Sequence, residues 1–269
     1  MAKILSCVNL KGGVGKTAIA VNVAAYCGRS GHKTLLVDVD PQTNATFSCI
    51  DLAEWEKHAE ENGTIADLLD TRRHNRAESG QREINSVIYP DVFKNVDLVP
   101  SHLDLFSIDL DLAGVTARER KLRKALSPVL DNYDIIICDC PPNLTIPTQN
   151  ALALSTHYVV PVSPDYLSGI GVGILLSRVT ELMEDLEHSL EHIGIIISRV
   201  GRPALHREQT EAAIRQRFGD LVLNPAIKER VAVSEAAAYK KPVFESNDHE
   251  AVREFTEISM ELLKRLGVE

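Results

Sequence analysis

The chain has 269 residues, 44% of them hydrophobic, and a formal net charge of -9. Its length and apolar content suit one large α/β domain, and we expect residues 1–269 to form a single domain. This acidity disfavours nucleic-acid binding in general, although a local basic patch can still bind DNA. The five cysteines are scattered, no stretch is long enough to span a membrane and no signal peptide is evident, so we expect a soluble, cytoplasmic protein.

Strand-like runs alternate with helical patterns along the chain. Apolar, mostly β-branched runs predict strands at residues 4–8, 34–38, 96–99, 135–139, 158–162 and 193–197. Amphipathic spacing predicts helices at residues 16–27, 118–130, 171–190, 205–218 and 250–266. This alternation predicts an α/β fold, a doubly wound and mainly parallel sheet flanked by helices. Residues 54–81 are polar, and we interpret them as a surface excursion with one short helix at 65–69.

The segment between the first strand and the first helix has the composition of a phosphate-binding loop. Three glycines allow backbone N–H groups to face an anion, and the following helix directs its N-terminus at the same charge. Lys16 is expected to reach the outer phosphates of ATP, and Thr17 offers a hydroxyl to Mg²⁺. The predicted nucleotide-binding residues are Lys11, Gly12, Gly13, Val14, Gly15, Lys16, Thr17 and Ala18.

Acidic residues follow two further strands. Asp38 and Asp40 close the second strand, share one face and lie where ligands bind in parallel sheets. Asp139 closes the apolar run at 135–139, as in a Walker B element whose acid holds a Mg²⁺-bound water. Together with the phosphate loop, these acids predict a site for ATP and Mg²⁺.

These motifs resemble those of the ParA/MinD family of deviant Walker A ATPases. The shared features are the additional lysine, Lys11, before the glycines, the segment Asp38-Val39-Asp40-Pro41-Gln42, the Walker B run and its Pro141-Pro142. The later block Val233-Ser234-Glu235-Ala236 favours the ParA branch over MinD. Because the sequence begins directly at the first predicted strand, we expect the small ParA type without an N-terminal helix-turn-helix domain. Thr43 stands where most relatives have glycine.

The resemblance implies roles for individual residues. Lys11 crosses a dimer interface to the nucleotide of the opposite subunit, and Asp40 orients the attacking water. Lys11, Lys16 and Asp40 are therefore the expected catalytic residues. Thr17, Asp38 and Asp139 are the residues expected to serve the metal.

The resemblance also implies a cellular activity. It predicts a weak Mg²⁺-dependent ATP hydrolase that forms a homodimer with ATP, binds DNA without sequence preference and positions a plasmid, chromosome or large assembly. A ParB-like adaptor would stimulate hydrolysis and release the protein from the nucleoid. The DNA-binding candidates are cationic residues late in the chain, namely Arg199, Arg202, Lys228, Arg230, Lys240 and Lys241.

Two alternatives stay open at this point. One is a small-molecule ligase of dethiobiotin synthetase type on the same scaffold. The other is a MinD-like membrane-associated ATPase. Because the amphipathic pattern at residues 250–266 includes four glutamates, an anionic bilayer would repel it, and we expect no membrane partner.

Overall fold

The computed structural model describes residues 2–69, 82–165, 168–201 and 204–268. Within these residues the chain forms a seven-stranded sheet in the order β3-β4-β2-β5-β1-β6-β7, and only β3 runs antiparallel to its neighbour. The strands are β1 (Lys3–Cys7), β2 (Thr34–Asp38), β3 (Tyr89–Phe93), β4 (Val96–Val99), β5 (Ile135–Asp139), β6 (His157–Val162) and β7 (Glu191–Ile197).

Helices connect the strands and cover the sheet. They are α1 (Lys16–Arg29), α2 (Asn44–Phe47), α3 (Leu52–Glu61), α4 (Ile65–Leu68), α5 (Ile84–Val87), α6 (Ile108–Asp111), α7 (Lys121–Leu126), α8 (Ile146–Leu154), α9 (Ser168–Asp185), α10 (Leu205–Phe218), α11 (Val231–Ala238) and α12 (His249–Leu266). Short 3₁₀ turns lie at Leu103–Phe106, Arg118–Arg120, Leu130–Asn132, Gly219–Leu221 and Val243–Glu245.

The core lies on both faces of the sheet. Successive residues of a strand point to opposite faces, so Ile4 packs in one buried cluster and Leu5 in the other. Helices α1 and α12 cover one face, and α7, α8 and α9 cover the other. The predicted doubly wound, mainly parallel α/β fold is therefore confirmed.

Strand β3 was not predicted, and two predicted helices are shorter than expected. Pro90 and Asp91 interrupt the apolar pattern of β3, which an edge strand tolerates because one side makes no ladder hydrogen bonds. The pattern at 118–130 forms a 3₁₀ turn followed by α7, which ends at Leu126. The pattern at 171–190 corresponds to α9, which begins earlier and ends at Asp185.

The short helix predicted at 65–69 within the polar segment 54–81 is present as α4, but the segment also contains most of a second helix, α3, that was not predicted. Helix α3 precedes the predicted short helix. Asp51 caps the N-terminus of α3 by accepting a hydrogen bond from the Glu54 N–H. Ile65 and Leu69 are fully buried, and the Ile65 N–H donates to the Pro100 carbonyl. Residues 70–81 lie outside the described residues.

No helix in the described part of the chain is both long and apolar enough to cross a bilayer. The parallel strands place their carboxyl ends along one edge of the sheet. The phosphate loop follows β1, while Asp38 and Asp139 end β2 and β5, the strands beside each other at the centre of that edge.

Candidate functional site

The phosphate loop is fixed by residues that are distant in sequence. Gly13 and Gly15 have φ angles of 72° and 82°, which glycine adopts without a steric penalty. At the end of β7, the Ser198 hydroxyl donates to the Val14 carbonyl at 2.6 Å, and the Arg199 guanidinium donates to the Gly13 carbonyl at 2.7 Å. These two hydrogen bonds attach the main chain of the phosphate loop to the end of β7. Sequence patterns did not identify Ser198, and assigned Arg199 to a different surface.

A second anchor holds the start of the loop. The buried Asn9 side chain donates to the Pro161 carbonyl at 2.6 Å and accepts a hydrogen bond from the Lys11 N–H at 2.9 Å. Strand β6 therefore positions the residue that precedes the glycines. No sequence motif pointed to Asn9.

Lys16 lies inside the site. Its ammonium group donates to the Lys11 carbonyl at 3.0 Å, and the residue is only 6% exposed. Burial lowers the pKa of Lys16, while the nearby Asp139 and Asp40 carboxylates oppose that change. A poorly solvated cation of this kind is suited to pairing with a phosphate.

Lys11 points to a different place. Its ammonium group pairs with the carboxylate of Asp165, and about half of each side chain is exposed. The hydrogen bonds from Lys11 and Ser163 lower the pKa of Asp165. Two lysines five residues apart therefore occupy separate environments, one buried and one at the surface.

A cavity of about 770 Å³ lies between the phosphate loop and residues 227–241, large enough for a nucleotide. Gly12, Gly13, Gly15, Lys16, Thr17 and Ala18 line it, as does Asp40. The other two predicted nucleotide-binding residues, Val14 and Lys11, are not part of the cavity lining. Val14 is buried. The far wall is largely apolar and includes Ile227, Val231, Val233 and Phe255.

Asp38 is a fully buried acceptor for its own loop. Its Oδ1 atom accepts the Asp40 N–H at 3.1 Å, and its Oδ2 atom accepts the N–H and the hydroxyl of Thr46 at 2.8 and 2.7 Å. Burial raises the pKa of Asp38 to about 7, although the Thr46 bonds oppose the rise. Both carboxylate oxygens are thus engaged by the segment that carries Asp40.

Asp139 is also fully buried, but neither carboxylate oxygen accepts a hydrogen bond of good geometry. Burial and the charge of Asp38 raise the pKa of Asp139 well above its usual range, while the nearby Thr17 hydroxyl and Lys16 oppose the rise. A buried carboxylate without a donor is costly, and a bound cation would remove that cost. The pair Asp139 and Thr17 therefore fits Mg²⁺.

The protein alone supplies few ligands for that ion. Among the described residues, no group of three or more His, Cys, Asp or Glu side chains could hold a metal. Magnesium characteristically uses one or two protein oxygens and completes its shell with water and phosphate oxygens. The site is therefore suited to Mg²⁺ that arrives with a nucleotide.

Asp40 lies on the cavity wall and is 5% exposed. Its Oδ1 atom accepts the Gln42 N–H at 2.9 Å, and burial raises the pKa of Asp40 while Lys16 lowers it. Thr43 has a φ angle of 57°, so the chain keeps the left-handed conformation that glycine would adopt without strain at this position.

The candidate DNA-binding residues differ in their surroundings. Arg199 bonds to the loop and to Glu229, and Arg230 pairs with Asp248 and Glu254. The three candidate lysines differ in exposure. Lys228 and Lys241 are exposed, and Lys240 is half-buried with a φ angle of 57°. Arg199, Lys228, Arg230 and Lys241 all line the cavity. Arg202 lies outside the described residues.

Comparison with known proteins is consistent with this geometry. The model of an AAA domain family matches residues 2–192. The chromosome-partitioning ATPase Soj of Treponema pallidum is 34% identical over 269 residues, which cover 99% of this chain and 99% of that protein. This similarity extends over the whole site.

Solved structures with the same fold have more than one activity. A putative plasmid partition protein from Borrelia burgdorferi, bound to AMPPNP, is 24% identical with a TM-score of 0.79, covering 98% of this chain and 100% of that chain. Cobyrinic acid a,c-diamide synthase from Mycobacterium smegmatis, with an ATP analogue and magnesium, is also 24% identical with a TM-score of 0.79, covering 98% and 95%. These likenesses establish the fold alone. The family match and the full-length similarity to Soj show that this chain belongs to the ParA/MinD family of ATPases.

Proposed function

We propose that this ATPase forms a homodimer with Mg²⁺ and ATP, binds DNA without sequence preference in that state, and thereby positions a cargo. The observation that supports dimerisation best is the separation of Lys16 from Lys11. Lys16 lines the cavity, whereas Lys11 lies outside it on an exposed ion pair with Asp165. A lysine next to a phosphate loop but outside its cavity is suited to the nucleotide of a second subunit.

Within one subunit, the roles follow from burial and hydrogen bonding. Lys16 would neutralise the outer phosphates, and Thr17 with Asp139 would hold Mg²⁺. Mg²⁺ bound there would supply positive charge that offsets the charge of the phosphates in the transition state. Asp38 would keep the Asp40–Thr46 loop in place near the metal, since its oxygens already accept hydrogen bonds from that loop.

Asp40 is the residue on the cavity wall that could orient a water molecule. Its Oδ1 atom accepts the Gln42 N–H, and among the described residues no backbone N–H donates to its Oδ2 atom. Burial raises the pKa of Asp40, and the Gln42 N–H and the charge of Lys16 oppose that rise. We therefore assign Asp40 to the attacking water, with slow intrinsic hydrolysis that a ParB-like adaptor accelerates.

DNA binding requires only a local cluster of cations, because contacts to phosphates carry no sequence information. Lys228 and Lys240 are the best candidates, since Arg199, Arg230 and Lys241 are paired with carboxylates. A dimer would present this cluster twice. We infer nucleoid association when ATP is bound.

The rival hypotheses receive less support. A ligase activity shares the fold, but no further observation favours it over the partition ATPase that is 34% identical. A MinD-like membrane helix would need a free apolar face. Phe255, Ile258 and Leu262 of α12 are instead buried against the sheet.

DNA retention measured with ADP, ATP and a non-hydrolysable analogue tests the proposal. Wild type should bind DNA only with ATP or the analogue, and Asp40→Ala should keep that binding while losing stimulated turnover. Lys11→Ala should lose both dimerisation and DNA binding, whereas the exposed Lys57→Ala is the matched lysine control and should behave as wild type. Equal DNA binding in every nucleotide state, or no binding in any, would refute the proposal.

A further inference from the structure

Ser101 links three parts of the molecule just beyond β4. It is fully buried, and each of its polar backbone and side-chain atoms makes a hydrogen bond. It is not part of the cavity lining. Any influence of Ser101 on the nucleotide must therefore pass through other residues.

Two of these bonds lead to the acidic residues of the site. The Ser101 hydroxyl donates to the main-chain carbonyl of Asp40 at 2.7 Å. Its N–H donates at 2.9 Å to the hydroxyl of Thr46, which itself donates to Asp38 Oδ2 at 2.7 Å. One buried serine thus holds both ends of the loop that runs from Asp40 to Thr46.

The third bond leads to the surface. The indole N–H of Trp55 on α3 donates to the Ser101 carbonyl at 3.0 Å. The Trp55 ring stacks on His102 with centroids 5.2 Å apart, and Phe47 packs edge-on against it at 5.5 Å. Aromatic packing on the outside therefore fixes the peptide that carries Ser101.

We propose that Ser101 is a positioning residue that sets where Asp40 stands in the active site. The reason is geometric: the Asp40 carbonyl is held by Ser101, and the carboxylate extends from the same residue to the cavity wall. Displacements well below 1 Å change the efficiency of a group that orients a nucleophile. This inference rests on the assignment of Asp40 to the attacking water.

Ser101→Ala tests the inference when turnover and nucleotide affinity are measured separately. The substitution should lower kcat for ATP hydrolysis about tenfold and leave nucleotide affinity within about twofold, since it does not touch the phosphate-binding residues. Ser107→Ala is the matched control, because Ser107 lies in the same segment and its hydroxyl bonds to Asp104 and Asp111, away from the Asp40–Thr46 loop. It should turn over as wild type.

The double variant Ser101→Ala with Asp40→Ala separates positioning from general structural support. If Ser101 acts through the Asp40 carboxylate, the double variant should hydrolyse ATP no more slowly than Asp40→Ala alone. Trp55→Phe keeps the stacked ring but removes the indole donor, and should lower kcat about threefold with unchanged affinity. If Ser101→Ala folds poorly, Trp55→Phe still tests the proposal, because it leaves the buried serine intact.

The outcomes distinguish the role of Ser101 from that of Asp40. Normal hydrolysis by Asp40→Ala would remove the role of Asp40 itself. If Asp40→Ala is slow but Ser101→Ala keeps kcat within twofold of wild type, the positioning role is wrong. It is equally wrong if Ser101→Ala reduces kcat and affinity in equal proportion, or slows Asp40→Ala further.

Discussion

Asp38 and Asp139 lie side by side in register on β2 and β5, and only one of them has its hydrogen bonds satisfied. The oxygens of Asp38 accept bonds from its own loop, whereas those of Asp139 have no partner of good geometry. Burial raises the pKa of both acids, and the charge of Asp38 raises that of Asp139 further. A cation at this position would therefore stabilise the ionised form of Asp139, which burial disfavours.

Asp139→Asn should consequently separate stability from function. The amide removes one charge from the acidic pair, so the Tm of the ligand-free protein should stay equal or rise by about 2 °C. Mg²⁺ should no longer add to the stabilisation that ATP confers. Thermal denaturation with and without ATP and Mg²⁺ measures both effects. Asp38→Asn is the control and should lower the Tm, because it disrupts the hydrogen bonds from Thr46. A large loss of Tm in Asp139→Asn would contradict the prediction.

The local motifs of the site could be predicted from sequence, whereas their anchors could not. Gly15, Lys16 and Asp139 are recognisable because each sits at a fixed place relative to a strand or helix end. Ser198 contacts Val14 from 184 residues away, and Asp165 contacts Lys11 from 154 residues away. Such contacts depend on which strands become neighbours in the sheet, and no local pattern encodes that order.

The same limit explains the errors in the fold. Strand β3 lies at the sheet edge and carries Pro90 and Asp91, so its pattern resembles a loop. Polar residues outnumber apolar ones around α3, yet Trp55 and His58 of that helix contact Ser101 and Val87. Burial of a few side chains by tertiary contacts was enough to order a segment whose average composition suggested solvent exposure.

Arg199→Ala should weaken nucleotide binding rather than DNA binding alone. The guanidinium holds the Gly13 carbonyl, so its loss frees a peptide of the phosphate loop and should reduce ATP affinity about tenfold. Titration with a fluorescent ATP analogue measures this change. Arg178→Ala, which removes an exposed arginine that does not line the cavity, is the matched control and should leave ATP affinity near wild type. Equal ATP affinity in wild type and Arg199→Ala would show that the loop does not need this anchor.

Asp165→Asn should favour the ATP-dependent dimer. The Lys11–Asp165 pair is about half exposed, so breaking it should cost less than about 1 kcal/mol of folding stability and barely change the Tm. A lysine no longer held within its own chain would be available to a second subunit. Sedimentation velocity with ATP should show a larger dimer fraction than wild type, and with ADP both proteins should stay monomeric. An unchanged dimer fraction would mean that this pair does not compete with assembly.

Glu254→Ala should destabilise the fold more than any neighbouring acidic substitution on α12. Glu254 is 2% exposed, accepts the Lys228 N–H at 3.0 Å and pairs with Arg230 at 3.0 Å. Its loss leaves two donors without their acceptor, at a cost of about 2–3 kcal/mol. Urea denaturation should show that loss, whereas Glu250→Ala, whose side chain is 51% exposed, should change stability by less than about 0.5 kcal/mol. Similar values for both variants would argue against a structural role for Glu254.

The stability of the protein should also fall on mild acidification because of His192. Burial lowers the pKa of this imidazole, which stacks on Tyr158 with centroids 4.9 Å apart and bonds to the Gly194 carbonyl. The unfolded chain takes up a proton on His192 near pH 6.5, whereas the folded chain does so only at lower pH. The unfolded state therefore binds more protons in that interval, and stability present above pH 6.5 is lost as the pH falls through the folded pKa.

Thermal denaturation between pH 7 and pH 5 tests the assignment to His192. His192→Gln keeps a hydrogen-bond donor but cannot be protonated. Between pH 7 and pH 5 its Tm should therefore fall about 1–3 °C less than the Tm of wild type. His157, whose pKa is also lowered by burial, should account for part of the remaining pH dependence. His206→Gln removes an exposed histidine and should show the full wild-type loss. If His192→Gln and His206→Gln lose equal stability on acidification, another group is responsible for the pH dependence.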